Sequence, residues 1–435
     1  MARESECSSR IVDLWNATGA PKQQPVAVVL ADEVPVRPDK LTGRRCAAAL
    51  PFAGKYRLID FALSNCVNSE IESVGVIAQH QPRSLYEHLS FGRPWDLDRD
   101  RGGLTLLCPY QAREGMNWYT GTADAIYQNR DFLDRADEVL LLDGRAVYSM
   151  DFCVLISQHR KTGAGLTIGV STAGIGGTGR QVTLQVDLEG RVRGLGRGNA
   201  ETAGQLVAMG VFLFSKDLLI RRLEADAEDP DSSHDLVHDV VSHMIEDGDV
   251  VFACAYSGYW RGLAGVDDYW LASMDLLSER PGLNLQDSAW PIRTRPEMRP
   301  PARISTGARL SHSLVCEGCL VDGTVEYSIL SPGVCVSPGA VVRNSVLMHD
   351  VSVEERAVVE NAVLDMDVIV GPCAHVGQAS RHAPTLDEGQ TPNVTVVCKG
   401  ARIPGQADVS PEQEPEDWLV SARRQGLAKQ RLDAA

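Results

Sequence analysis

Short apolar runs alternate with longer amphipathic stretches through the first part of the chain, and a different period takes over near its end. Val26-Ala27-Val28-Val29-Leu30 is apolar on both faces, which predicts a strand buried in a parallel sheet. Val74 to Ala78, Val139 to Leu142 and Ala164 to Val170 read the same way. Helical stretches fall between them: one opening near Phe61 and carrying Ala62-Leu63-Ser64-Asn65-Cys66, one over Ala125 to Ala136, and one over Met150 to Lys161. This alternation is that of βαβ units and predicts an α/β domain over 24–285, built on an open, mostly parallel sheet. Ligands of such sheets bind at the carboxyl ends of the strands. Residues 1–23 are mixed polar and predict an N-terminal arm.

Residues 286–302 are rich in proline and poor in apolar side chains, and predict a linker. After it, Gly323 to Val336, Ala340 to Val353 and Ala357 to Val370 superimpose at a shift of 17 residues. Ile329-Leu330, Val346-Leu347 and Val363-Leu364 coincide, as do Val334, Val351 and Val368. Asn344 matches Asn361, and Asp350 matches Asp367. A fixed repeat of this size predicts a solenoid, here a parallel β-helix over 303–405. A meander of antiparallel strands would not repeat pairs in one register. Residues 406–435 predict a tail, with a weakly amphipathic stretch from Trp418 to Leu432.

Composition narrows the function classes. With 435 residues there is room for two domains, and 44% hydrophobic residues is ordinary for a globular protein. A net charge of −16 argues against a generic nucleic-acid surface and against anionic lipid. No apolar run of membrane-spanning length and no charged-then-apolar leader is present, so a cytoplasmic protein is expected. The eleven cysteines are scattered; Cys316 and Cys319 form one pair at CxxC spacing, without a second pair or histidine cluster to complete a metal site.

The candidate chemistry lies after the first strand. A strand, a loop and a helix commonly hold a nucleotide phosphate, with glycines that let backbone N–H groups approach the anion. Here the loop reads Asp32-Glu33-Val34-Pro35-Val36-Arg37. Asp32 and Glu33 put carboxylates where phosphates would sit, and Pro35 removes a donor. The scaffold of a nucleotidyltransferase is expected, with its chemistry removed.

Longer words then point to a family. Phe52 to Glu70 and Asn117 to Asn129 are the most extended; Ser232-Ser233-His234-Asp235, Tyr259-Trp260-Arg261, Asp268-Tyr269-Trp270, Met274-Asp275-Leu276 and Pro291-Ile292-Arg293-Thr294 follow in order. In order and spacing, from about 24 to 375, the chain resembles bacterial glucose-1-phosphate adenylyltransferase, also called ADP-glucose pyrophosphorylase. The resemblance implies a nucleotidyltransferase α/β domain followed by a left-handed parallel β-helix. It also implies the family reaction, in which ATP and glucose 1-phosphate give ADP-glucose and pyrophosphate on the way to glycogen. Such chemistry proceeds by positioning and charge neutralisation through glycines, cations and Mg²⁺.

Against that requirement the departures are many. The family's glycine-rich word falls on Asp32, Glu33, Val34, Pro35, Val36 and Arg37, and only the last is kept. Its active-site lysine falls on Ala47. Its two metal-binding aspartates fall on Arg145 and Gly262. Its sugar-phosphate Glu-Lys pair falls near Arg197-Gly198, a serine on Ala208 and a lysine on His238. A guanidinium cannot ligate a metal, so no cofactor is expected although the family uses Mg²⁺. A carboxylate about 4 Å from a phosphate charge costs about 4 kcal/mol at an effective dielectric of ~20.

Other positions are kept. Tyr119, Gly121, Thr122, Asp124 and Asp235 stand where the family contacts nucleotide and glucose, although Gly121 to Ala125 could equally serve to open a helix. Arg44, Arg45 and Arg57 fall where the family places cations for anionic effectors; the plain alternative is surface charge. Lys55 reads equally as a surface lysine. The expected function is a catalytically inactive family subunit, regulatory or scaffolding, assembling with itself or with an active paralogue into the family's tetramer and binding a phosphorylated metabolite. The alternatives are a working adenylyltransferase with an atypical site and a stand-alone sensor of sugar phosphates or nucleotides.

Overall fold

The computed structural model describes residues 25–32, 40–109, 111–112, 115–116, 118–134, 136–172, 181–198, 206–279, 281–378 and 393–410. The expected N-terminal arm, the loop residues Glu33 to Arg37 and the stretch Trp418 to Leu432 lie outside them.

Strands Gly103–Leu107, Ser73–Ile77, Val26–Leu30 and Glu138–Asp143 run parallel and adjacent, in that order. The long strand Leu206–Ser215 then pairs antiparallel with Glu138–Asp143 and with Leu166–Thr172. Gln181–Val186 and Val192–Gly198 extend this edge, and Val251–Tyr256 pairs parallel with Leu166–Thr172. The central strand Val26–Leu30 is buried on both faces, as its unbroken apolar run requires.

The helices begin and end where local chemistry dictates. Leu58–Asn68 starts with Asp60, whose carboxylate accepts from the Arg57 backbone N–H at 2.9 Å. Phe152–Thr162 is capped by Asp151, which accepts from Cys153 N–H at 2.8 Å, and stops at Gly163, whose φ of 62° is the left-handed conformation glycine tolerates. The expected helix over Ala125 to Ala136 is shorter: it runs Thr122–Gln128, and a 3₁₀ turn takes over at Arg130–Leu133.

The C-terminal part is a left-handed parallel β-helix of three sheets, each made of short strands stacked in register. Ile329, Val346 and Val363 are direct neighbours, as are Val336, Val353 and Val370. The repeated Asn and Asp explain themselves. Asn344 and Asn361 have φ of 46° and 48°, and Asp350 and Asp367 have 59° and 62°. These are the corners of the coil, and short polar side chains tolerate the left-handed region best. The coil continues to Asp408–Val409, a few residues past the expected boundary, because Asp408–Val409 stacks on His375–Gly377.

The proline-rich linker is docked onto the first domain. Trp290 Nε1 donates to Asn65 Oδ1 at 2.8 Å, Asn68 Nδ2 to the Pro291 carbonyl at 3.1 Å, and Arg293 N–H to Ser64 Oγ at 2.9 Å. Between the domains lies a shared apolar core in which Leu50, Phe52, Phe61 and Trp270 meet Ile329, Val346 and Val363. Each large side chain buried there contributes about 1.5–3 kcal/mol. Trp270 Nε1 also donates to the Asn344 carbonyl at 2.8 Å. Among the described residues no helix is long and apolar enough to cross a membrane.

Candidate functional site

The parallel strands deliver the expected positions to one place. Leu30 and Asp143 are register partners at the carboxyl ends of their strands. Asp32 and Arg145 follow them by two residues each. Beyond Arg145, strand Ala146–Tyr148 pairs antiparallel with Trp260–Gly262, which sets Gly262 opposite Ala146. The two family metal positions therefore converge. Asp32, Ala47, His80, Arg145 and Leu263 line a common cleft.

The cleft's chemistry is not that of a metal site. Arg145 donates from its backbone N–H and Nε to Asp143 Oδ1, at 2.9 and 3.0 Å, and from Nη2 to Asp143 Oδ2 at 2.9 Å. Gly262 offers no side chain. A divalent cation wants several oxygen ligands, and this pair of positions supplies a guanidinium and a hydrogen. Asp143, two residues before Arg145, already has both oxygens engaged by it. The residues do not fit the family's Mg²⁺.

Asp32 is 7% exposed. Its Oδ1 accepts from Ala47 N–H at 3.0 Å and its Oδ2 from His80 N–H at 3.2 Å. Burial and this carboxylate together push the neighbouring Cys46 thiol up from its ordinary value. Ala47 itself presents only a methyl group in place of a cation. Glu33 and Pro35 fall outside the described residues.

The positions kept for nucleotide and glucose all have structural partners. Asn129 Nδ2 donates to Tyr119 Oη at 2.9 Å. Asp124 Oδ2 accepts from Thr120 N–H at 2.8 Å and from Gln128 Nε2 at 3.0 Å. Asp235 accepts from Val237 and His238 N–H, at 3.0 and 2.7 Å, so it caps the helical turn Leu236–Val241. Thr122 Oγ1 accepts from Leu236 N–H at 2.8 Å. Gly121 is pressed against the Ser-His-Asp word: a Cβ there would lie 2.0 Å from the His234 carbonyl oxygen and 2.7 Å from that of Ser233. Gly121→Ala is therefore expected to cost about 2–3 kcal/mol of folding stability, read as a lower urea midpoint; an unchanged midpoint would show that the two segments separate freely. His238, at the family's lysine position, is bonded to Asp239 at 3.0 Å. Ala208 lies within Leu206–Ser215.

The three expected effector cations do not form one open anion site. Arg44 is exposed. Arg45 is 3% exposed, and its Nη2 reaches both oxygens of Asp365 in the β-helix at 2.6 and 2.7 Å. Arg57 donates through Nη1 to the Ala49 carbonyl at 2.7 Å. Burial lowers Arg57's affinity for its proton; Arg45 and Arg295 add to this, while Asp60 and Glu297 oppose it. A second cleft opens between the domains beside Lys55, Thr294, Arg295, Glu297 and Glu317. Thr294 lines it; its Oγ1 and His349 Nδ1 are buried without a partner among the described residues. Sequence reasoning passed over Asp143, Asp365 and Arg295. Asp143 could have been found, because a carboxylate two residues before a strand-end arginine is within reach of it.

Comparisons with known proteins agree with this architecture. The nucleotidyl transferase family profile matches residues 36–279. A GlmU-like C-terminal hexapeptide profile matches residues 300–403. A glucose-1-phosphate adenylyltransferase of Bacillus thuringiensis (strain Al Hakam) is 39% identical over 336 residues, 75% of this chain and 87% of its own. Those of Halalkalibacterium halodurans and Geobacillus stearothermophilus are each 40% identical, over 331 and 324 residues, covering 74% of this chain and 84% of their own. Sheet, β-helix and sequence together make this chain a member of the glucose-1-phosphate adenylyltransferase family of nucleotidyl transferases.

Proposed function

We propose that this chain is a catalytically silent member of its family and acts in glycogen synthesis as a regulatory or scaffolding subunit. The observation that carries the reading is the pairing of Arg145 with Asp143 opposite Gly262, where a working member needs two carboxylates for one metal. Family members join ATP and glucose 1-phosphate; this chain keeps the words that build the scaffold and lacks most of those that neutralise phosphate charge. It binds no catalytic metal. Its place is the cytoplasm, with the sugar phosphates of its relatives.

The regulatory role rests on the interdomain cleft. Lys55 and Arg295 supply cations there beside the carboxylates of Glu297 and Glu317, and Thr294 Oγ1 is buried without a partner among the described residues. Such a site suits the phosphoryl group of a metabolite, with affinity falling as salt rises. The scaffolding role rests on the first coil of the β-helix. Its strands Arg303–Ile304 and Arg309–Ser311 are sheet edges, and Ile304, Leu310 and Leu320 are 52%, 38% and 46% exposed. Apolar side chains along open edges favour a neighbouring subunit, a second copy or an active paralogue.

Sedimentation and calorimetry test both roles. The full chain is expected to sediment well above its 47.2 kDa monomer mass, and Ile304→Glu with Leu310→Glu should return it to monomer. Co-expressed with an active paralogue, it should co-purify, and Lys55→Ala with Arg295→Ala should abolish phosphate and sugar-phosphate binding and alter the paralogue's response to effector. A monomer that ignores the paralogue yet binds sugar phosphate would favour the stand-alone sensor. A monomer that binds none of these ligands would remove both roles.

A further inference from the structure

Two segments far apart in sequence send backbone donors to one buried carboxylate. Ala47 N–H reaches Asp32 Oδ1 and His80 N–H reaches Oδ2, at 3.0 and 3.2 Å. The same segment is tied to the preceding residue: Ala48 N–H donates to the Ala31 carbonyl at 3.1 Å, and Cys46 Sγ reaches it at 3.3 Å. Convergent backbone donors at the carboxyl end of a central parallel strand are the arrangement that receives a phosphate in sheets of this kind. Here the chain supplies the anion itself.

We propose that Asp32 is a built-in anion that fills the phosphate-accepting position of the cleft, closes it to phosphorylated ligands and locks segment 45–48 onto the sheet. Arg145, paired through Nε and Nη2 with Asp143, is its cationic counterpart in the cleft. The lock has a second end. Arg45, two residues before Ala47, is held by Asp365 of the β-helix. Segment 45–48 is thus fixed to the sheet on one side and to the β-helix on the other, in one conformation, whether or not nucleotide is present. A subunit of this kind keeps the interdomain geometry constant while working subunits cycle. The inference deepens the silent-subunit reading and rests on it.

The test uses the full chain with Asp32→Gly and Asp32→Asn. In Asp32→Gly, amide hydrogen exchange should rise about tenfold in both 46–48 and 79–81, because both donors lose their acceptor. In Asp32→Asn one side-chain oxygen remains, so one of the two segments should stay protected. Titrated with inorganic pyrophosphate at low salt, Asp32→Gly should bind at the cleft roughly tenfold tighter or more than the native chain. Asp32→Asn, which keeps the fold but loses the charge, should also gain affinity if Asp32→Gly fails to fold. Unchanged exchange in both segments, or equal pyrophosphate affinity in all three proteins, would overturn the proposal. Pyrophosphate release from ATP and glucose 1-phosphate by the native chain would instead strike the silent-subunit reading, so the two failures are distinguishable.

Discussion

Asp365→Ala will lower the stability of the protein by about 3–5 kcal/mol, the largest effect expected of any single substitution away from the hydrophobic core. The side chains of Arg45 and Asp365 are 4% and 3% exposed, and their bonds of 2.6 and 2.7 Å cross from the first domain to the β-helix. Removing the carboxylate leaves a guanidinium buried and unpaired, which costs far more than the pair itself is worth. The double substitution Arg45→Met with Asp365→Leu should therefore recover most of the loss, since replacing a buried pair by apolar groups is often close to neutral. Denaturant midpoints for Arg45→Met, Asp365→Leu and the double variant close the cycle. A loss below about 1 kcal/mol for Asp365→Ala would mean that the pair is hydrated and that the domains are not clamped there.

The second large effect concerns chemistry. Restoring one family residue should leave the chain inactive, and restoring the site as a unit should not. Arg145→Asp alone places a new carboxylate beside Asp143, which then loses the guanidinium that pairs with it. Gly262 still gives the metal nothing, Ala47 still gives the phosphates no cation, and Asp32 still occupies the loop's end. Each ordinary catalytic contact is worth about 3 kcal/mol, or roughly a hundredfold in rate. Contacts that act together return non-additively. The combination Asp32→Gly, Ala47→Lys, Arg145→Asp and Gly262→Asp is expected to exceed any single change by several powers of ten. Substantial turnover from Arg145→Asp alone would show that the cleft holds a metal by a route other than these positions.

The parts of the fold set by periodicity were legible in the chain. The apolar run Val26 to Leu30 could only be a buried strand, and the 17-residue spacing of Ile329, Val346 and Val363 could only stack as a coil. Even the repeated Asn and Asp carried information, because they occupy left-handed corners. Tyr327 and His312 take equivalent corners with φ of 47° and 44°, and no pattern announced them. The helix expected to Ala136 breaks after Gln128, where a 3₁₀ turn beginning at Arg130 follows.

The candidate site was legible as a set of losses, and less so as a set of new bonds. Convergence of Arg145 and Gly262 follows from a two-stranded pairing that spacing does not reveal. Arg45 and Asp365 are 320 positions apart, and nothing local links them. The kept words turn out to carry architecture: Ser64 and Asn65 hold the linker, Tyr259 and Arg261 bind Asp275, and Tyr269 donates to the Pro51 carbonyl at 2.6 Å. This separates the two kinds of family residue. Those that hold the scaffold are present, whereas the family's metal positions hold Arg145 and Gly262 and its lysine position holds Ala47.

The most direct test of the silent-subunit reading is pyrophosphate release by the purified chain, without a paralogue, given ATP, glucose 1-phosphate and Mg²⁺. The predicted result is no release above the enzyme-free background at any pH at which the protein is folded. Turnover near the enzyme median of about 10 s⁻¹, abolished by a substitution within the cleft such as Arg145→Ala, would contradict it.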